Sequence, residues 1–293
     1  MQYAIRDARS QDRTQIAAFT QDTFAWGDYV SDVFDEWLND PCGKVVVAAD
    51  TQDRAVAMVK MTMLSAEEAW AHGARVHPDH RRRGLASAMH DVLSPWAASR
   101  GAKVCRLFVE DGNTAAERQV EALGFAVVAH WFHCALDDLT TKPVTAGNGG
   151  RRKPRRSPLA AAARADVPAL FISWSDSDLY RAARGLISRG WTCRRMRDVD
   201  LEEAVGAKTL LEGSAGAAIV GADEEYPHQA WLSWISTEES RAADLVKDLI
   251  DASARREFGA VRGMLPETAW LRAAFEAAGF DTTRERLYSR PLR

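Results

Sequence analysis

Between residues 84 and 99 apolar side chains return every three to four positions, at Leu85, Met89, Val92, Leu93 and Trp96. That spacing lines one face of a helix. Val30, Phe34 and Trp37 repeat at the same interval and predict a second amphipathic helix, whose aromatic residues face the core. Shorter runs read as strands: Val104-Cys105-Arg106-Leu107-Phe108-Val109, and later Ala230-Trp231-Leu232-Ser233-Trp234-Ile235. A further strand ending Ala74-Arg75-Val76 stops at His77-Pro78, and Arg81-Arg82-Arg83-Gly84 then leads straight into the first helix.

A strand, a basic turn and a glycine opening a helix have a chemical meaning. The first-turn N–H groups of a helix have no partner inside it, and the helix dipole adds positive character at the same point. An anion with several oxygens, such as a pyrophosphate, suits that place. Glycine matters there because a side chain would keep the phosphate away from the backbone. The turn is neither GxxxxGK followed by Ser or Thr, nor a GxGxxG between strand and helix.

The turn resembles the acyl-CoA loop of the GNAT superfamily of N-acetyltransferases. That loop reads Gln or Arg, two residues, Gly, one residue, then Gly or Ala; here Arg81, Gly84 and Ala86 hold the defined positions. Downstream, Asn113-Thr114-Ala115-Ala116 and Glu121-Ala122-Leu123-Gly124-Phe125 are similar to the superfamily's second conserved segment, at the expected distance. Together the motifs cover residues 74–125. The resemblance implies an α+β fold, a mixed and mostly antiparallel sheet flanked by helices. It predicts a strand at 2–8, helices at 10–24 and 29–39, a hairpin at 44–50 and 54–64, and a strand at 68–77. The phosphate helix at 84–99, a strand at 103–110, a helix at 114–123 and strands at 125–136 complete the order. The sheet is expected to open as a V between 68–77 and 103–110. Acetyl-CoA is the implied co-substrate, its thioester arm held at Ala74, Arg75 and Val76. Its pyrophosphate falls to Arg81, Arg82, Arg83, Gly84, Leu85, Ala86 and Ser87, and its pantetheine to Asn113.

Length and composition extend this reading. At 293 residues the chain is long for one such domain and suited to two, and its net charge of −3 names no partner. No apolar run is long enough to span a membrane and the start is no secretory signal, so the expected location is cytoplasmic. Four scattered cysteines without a CxxC pair read as reduced thiols, with no metal site. Residues 140–158 are rich in Pro, Gly and Lys or Arg, lack periodicity and carry no aromatic to stack a base. They read as a flexible basic linker rather than a nucleic-acid contact. The expected domains are therefore a catalytic one at 1–139 and a second at 159–293.

The second half carries a concealed repeat. Ala273-Ala274-Phe275-Glu276-Ala277-Ala278-Gly279-Phe280 echoes Gln119 to Phe125, again behind a strand and a short helix. The cradle is missing, because the strand at 230–235 runs into Ser236-Thr237-Glu238-Glu239 with no glycine. Two carboxylates would repel a pyrophosphate. The second half is expected to be a degenerate GNAT-like domain that walls the acceptor pocket.

The catalytic positions are less regular. Many GNAT enzymes carry Glu four residues before the valine corresponding to Val76, where this chain has His72, the first candidate base. Glu68, on the same side of the strand, is the second. The tyrosine often found four residues before the Gly-Phe glycine is Val120 here, which donates no proton. Tyr288 and His133 are the remaining candidate acids. His130 and His133 stand on opposite faces of a strand, against a metal pair. Trp26, Asp28 and Tyr29 are expected to face the acceptor, with the aspartate suited to an ammonium. The run Glu68 to Pro78, with Trp26 to Tyr29 upstream, is similar to a GNAT branch of histidine N-acetyltransferase-like and plant hookless-like proteins. The reading is acetyl transfer to a primary amine of a small molecule or amino acid, without nucleic acid, membrane or metal. A non-catalytic acyl-CoA-binding or regulatory protein, and a peptide or protein N-acetyltransferase, stand as alternatives. The oligomeric state is not indicated.

Overall fold

Runs of Val, Ala and Met around residues 43–63 leave few polar positions, and such runs make strands covered on both faces. The computed structural model of the protein describes residues 2–21, 23, 27–139 and 158–292. By contacts the chain divides into two units, neither of them a continuous stretch. Unit 1 comprises Met1–Leu107, Asn113–Ala126 and Tyr288–Arg293, and unit 2 comprises Phe108–Gly112 and Val127–Leu287. The halves 1–139 and 159–293 are thus a different partition: residues 127–137 go with unit 2, and the last six residues with unit 1. The expected linker, apart from Pro158, lies outside the described residues.

The first elements in chain order are β1 (Ala4–Asp7), α1 (Arg13–Thr20), α2 (Val30–Asn39), β2 (Gly43–Ala49), β3 (Ala55–Met63), β4 (Glu68–Val76), α3 (Leu85–Ser99), β5 (Val104–Glu110), α4 (Thr114–Ala122) and β6 (Ala126–Asp137). In unit 1 the strands run in the order β1-β2-β3-β4-β5. The first three pairings are antiparallel, and β4 meets β5 in parallel. That parallel ladder holds only Glu68↔Val104, Ala69↔Cys105 and Trp70↔Arg106, so beyond Arg106 the two strands part. Val45 and Val47 share one face of β2 and form a core with Ile16, Val30, Phe34, Trp37 and Met58. Helix α3 buries Leu85, Met89, Leu93 and Ala97; Val92 falls outside that stripe and is exposed. The helix expected over 10–24 is shorter, a 3-10 turn at Ser10–Asp12 followed by α1. The strands expected over 125–136 are one strand, β6.

The later elements are β7 (Ala160–Ala161), α5 (Val167–Ser175), α6 (Asp178–Ala183), β8 (Leu186–Arg189), β9 (Thr192–Arg195), α7 (Asp198–Gly206), β10 (Leu210–Gly213), β11 (Gly216–Ala222), β12 (Gln229–Ser236), α8 (Ala242–Arg255), β13 (Ala260–Pro266), α9 (Ala269–Ala277) and β14 (Asp281–Pro291). In unit 2 the order is β14-β6-β13-β12-β11-β10-β7, with β8 and β9 as a separate hairpin. Strand β12 pairs with β13 in parallel over Gln229–Leu232. Trp231, Trp234 and Ile235 of β12 are buried.

The internal repeat is visible at the backbone. Helices α4 and α9 each end at a left-handed glycine, Gly124 with φ 82° and Gly279 with φ 94°. The phenylalanine that follows is buried in both, and its N–H bonds to the carbonyl five residues back, Val120 for Phe125 and Phe275 for Phe280. Each unit is a mixed sheet flanked by helices, as the resemblance implied.

Candidate functional site

Gly73 interrupts β4. Before it the pairing with β3 is regular, with Lys60 opposite His72. After it Met58 stands opposite Arg75, so β4 carries an extra residue there. Such a bulge leaves the extra residue outside the ladder and bends the strand. Gly73 has φ 65°, and a Cβ at this position would lie 2.5 Å from the Trp37 ring. Glycine is needed there both for its conformation and for space. The bulge lies just beyond the last β4–β5 pair, where those strands have parted.

From β4 the chain turns through a short 3-10 segment, Pro78–His80, into the three arginines. Arg81, Arg82 and Arg83 are exposed. Arg81 Nε donates to the Val76 carbonyl at 3.3 Å, and Arg83 Nη2 to the Asp79 carbonyl at 3.0 Å. The first bond ties the turn to the end of β4, and the second closes the turn on itself. Arg82 (φ 60°) and Gly84 (φ 74°) are both left-handed. A Cβ at Gly84 would meet nothing within 4 Å. Gly84 caps α3, no side chain bonds there, and the first turn carries no acid. An open helix start with three cations and unobstructed backbone fits a pyrophosphate. Leu85 is buried and anchors the helix, Ala86 is half-buried, and Ser87 is exposed in the first turn. Asn113 caps α4, its Oδ1 accepting the Ala116 N–H at 3.2 Å. The corresponding start in unit 2 has no glycine, and Glu238 and Glu239 are exposed before α8.

His72 sits half-buried on β4, sharing a 3.2 Å hydrogen bond between Nε2 and Thr62 Oγ1. Its ring lies against Trp37, centroids 4.8 Å apart. Across the ladder Lys60 is almost fully buried, with Nζ 2.7 Å from Asp40 and 5.2 Å from the Trp37 centroid. Burial, then the Lys60 charge, push the imidazole down to about 3, against a smaller opposing pull from Asp40. His72 is therefore neutral at physiological pH, and its surroundings make this first candidate base a weak one.

Glu68 lies four residues earlier on the same face, buried, with Oε1 2.6 Å from Arg106 Nη1 and Oε2 accepting from Ser65 Oγ at 3.0 Å. Both carboxylate oxygens are engaged. Asp28 is likewise committed: it accepts the Val30 N–H at 3.0 Å and pairs with Arg75 Nε at 2.6 Å. Burial works against its charge, but the Arg75 and Val30 bonds outweigh it and hold the carboxyl below its usual range. Asp28 is thus committed to the turn that leads into α2 and to Arg75, and is not an open ammonium acceptor. Tyr29 stands with the Arg75 guanidinium 5.6 Å from its ring centre and Trp37 edge-on at 5.9 Å. Trp26 lies outside the described residues.

The remaining candidates separate. Tyr288, numbered in the second half, belongs to unit 1, fully buried, its hydroxyl donating to Glu121 Oε1 of α4 at 3.4 Å. His133 belongs to unit 2, stacked on Trp191 at 4.7 Å and pushed down to about 4 by burial and then by Arg262. Val120 is buried in α4. Lys60, Asp40 and Thr62 were not anticipated, although a lysine inside the apolar run of β3 was their signal. Among the described residues no group of three or more metal-ligating side chains gathers, and no helix is long and apolar enough to cross a membrane.

Residues 4–125 match the acetyltransferase (GNAT) family. This part of the chain carries the sequence pattern of that family. No curated protein sequence matches the chain. Solved GNAT structures are similar over its whole length. A GCN5-related N-acetyltransferase from Sphaerobacter thermophilus has a TM-score of 0.66 at 14% identity, covering 99% of this chain and 96% of that one. A tandem GNAT protein from the clavulanic acid biosynthesis pathway has a TM-score of 0.57 at 14% identity, covering 100% and 99%. A GCN5-related glucosamine N-acetyltransferase region in a fungal multi-domain GH3 β-N-acetylglucosaminidase has 0.64 at 14%, covering 99% of this chain and 38% of that one. At such identities the likeness is one of fold, and the fold is tandem GNAT.

Proposed function

We propose that unit 1 transfers an acetyl group from acetyl-CoA to a primary amine of a small molecule or amino acid. The observation that carries this reading is the unobstructed, glycine-capped start of α3 directly after the bulged β4. Acetyl-CoA supplies an activated carbonyl, so the protein's work is to position it and to manage two protons. The backbone from Arg82 to Ser87, with the three arginines, holds the pyrophosphate. Backbone amides at the bulge, Ala74 to Val76, hold the thioester arm, and the end of α4 bearing Asn113 borders the pantetheine.

A base that titrates near 3 takes little of a proton by itself. In this reading the acceptor arrives as a neutral amine, and His72 with Thr62 orders the water that carries its proton away. Glu68, locked to Arg106, holds β4 and β5 together at the mouth of the V. Acceptors with an amino group, as in the glucosamine N-acetyltransferase region of similar fold, are the class to examine first. The second reading, an acyl-CoA-binding protein without catalysis, is favoured by Val120 and by the weak basicity of His72. Thiol release from acetyl-CoA over a panel of amines, amino acids and amino sugars, with mass spectrometry of bound ligand, decides between them. Acetylated product supports transfer. Tight acetyl-CoA binding without turnover on any amine or peptide supports the second reading.

A further inference from the structure

The departing thiolate needs a proton, and α4 offers Val120 where the family's tyrosine would stand. The end of β14 enters unit 1 at this point. At one end of its pairing Leu292 N–H bonds the Lys103 carbonyl at 2.9 Å, and at the other Asp111 N–H bonds the Arg284 carbonyl at 2.8 Å. These bonds make β14 antiparallel to β5 and set Tyr288 opposite Leu107. Leu107 is the first β5 residue beyond the last pair with β4, so Tyr288 stands level with the opening of the V. Paired residues of neighbouring strands project to the same face. Two residues on, Arg290 identifies that face: it bonds Ser94 of α3, donates to the Leu123 carbonyl at 2.7 Å, and lies 5.1 Å from the Phe125 ring. Tyr288 itself donates to Glu121, the neighbour of Val120 on α4.

We infer that Tyr288, brought to unit 1 by the last strand of the chain, is the proton donor that replaces the missing tyrosine of α4. The assignment rests on the acetyl-transfer reading above. In the step, the acceptor nitrogen forms the C–N bond and the C–S bond breaks with its electron pair on sulfur. The hydroxyl proton of Tyr288 passes to that sulfur. The surplus proton of the amine leaves to water, from which Tyr288 is reprotonated. Neither the sequence motifs nor the family match at 4–125 reach residue 288.

The test compares the wild type with Tyr288→Phe, which removes one oxygen and keeps the ring. The expected result is unchanged acetyl-CoA affinity with kcat lowered by about 10²-fold or more, within the usual range for a positioned acid. A second readout needs no turnover. With 13C-labelled tyrosine, the resonance missing from Tyr288→Phe is Tyr288, one of five. It should move when CoA, the thiol product, is added. Replacement of Tyr288 by 3-fluorotyrosine preserves packing if the phenylalanine variant folds poorly, and should alter kcat without altering acetyl-CoA affinity. An unchanged kcat in a folded variant, or a Tyr288 resonance blind to CoA, overturns the assignment while leaving acetyl transfer in place. A wild type that binds acetyl-CoA but releases no thiol with any acceptor overturns the acetyl-transfer reading, and the proton donor with it.

Discussion

Gly73 shows how much one residue can settle. Its left-handed φ costs any other residue about 1–2 kcal/mol, and a Cβ would in addition strike Trp37 at 2.5 Å. Gly73→Ala should therefore destabilise the protein by roughly 2–5 kcal/mol, a sum of backbone and overpacking costs, as read from urea unfolding. Destabilisation under 1 kcal/mol would mean that the bulge relaxes easily. Two titrating groups shielded from water set opposite pH trends. His72, pushed down to about 3, is neutral when folded but protonates near 6.5 when unfolded, so stability falls as pH drops from about 6.5 towards 3. Glu285 is raised to about 8, by burial and then by Glu110, so the folded state keeps its proton above the unfolded pKa of 4.5. Its contribution is complete below 4.5 and is lost as pH rises through 8. Glu285→Gln should flatten the decline in melting temperature between pH 5 and 9, and an unaltered slope would show that Glu285 is charged in the fold.

At the scale of elements, the proposed acetyl-CoA site rests on the contrast between the starts of α3 and α8. The α3 start is open, left-handed at Gly84 and cationic, whereas Glu238 and Glu239 precede α8. Acetyl-CoA should bind with a stoichiometry of one per chain in calorimetry; two equivalent sites would refute the asymmetry. Gly84→Val should abolish that binding, because the branched Cβ occupies the approach to the backbone. The site is surrounded by empty space, so the variant should fold with a loss of about 1–2 kcal/mol from the left-handed φ alone. Affinity unchanged in a folded variant would place the pyrophosphate elsewhere. The motifs that reveal α3 and α4 are local, so both helices were legible in the sequence. The bulge was signalled only by a glycine within a strand, and the Lys60–Asp40 pair only by a lysine among apolar residues.

For the whole molecule, the partition into units corrects the picture of two consecutive halves. Arg290 bonds Ser94 and Leu123, Leu292 bonds Lys103, and Tyr288 is fully buried, all within unit 1. A fragment ending near residue 140 lacks all three. It should aggregate and fail to bind acetyl-CoA, and deletion of 288–293 from the full chain should do the same in milder form. A soluble fragment 1–140 with full affinity would show that the last strand is dispensable. In unit 2 the tryptophans of β12, Trp231 and Trp234, are buried in the core.

Local chemistry decided what the sequence could disclose by itself. A helix that must begin with a glycine and cations, and two helices that must end at a left-handed glycine before a core phenylalanine, are demands made within a few residues, so they survive as patterns. The cradle and the repeat are such patterns, and the α+β class and the missing tyrosine came with the family resemblance that they carry. Tertiary structure alone decided the rest, because those features join residues far apart in the chain. Asp28 meets Arg75 across 47 positions, Tyr288 meets Glu121 across 167, and Arg290 meets Ser94 across 196. Whether a carboxylate is open or spent, and whether an imidazole near Lys60 holds a proton, depends on neighbours that only folding brings together.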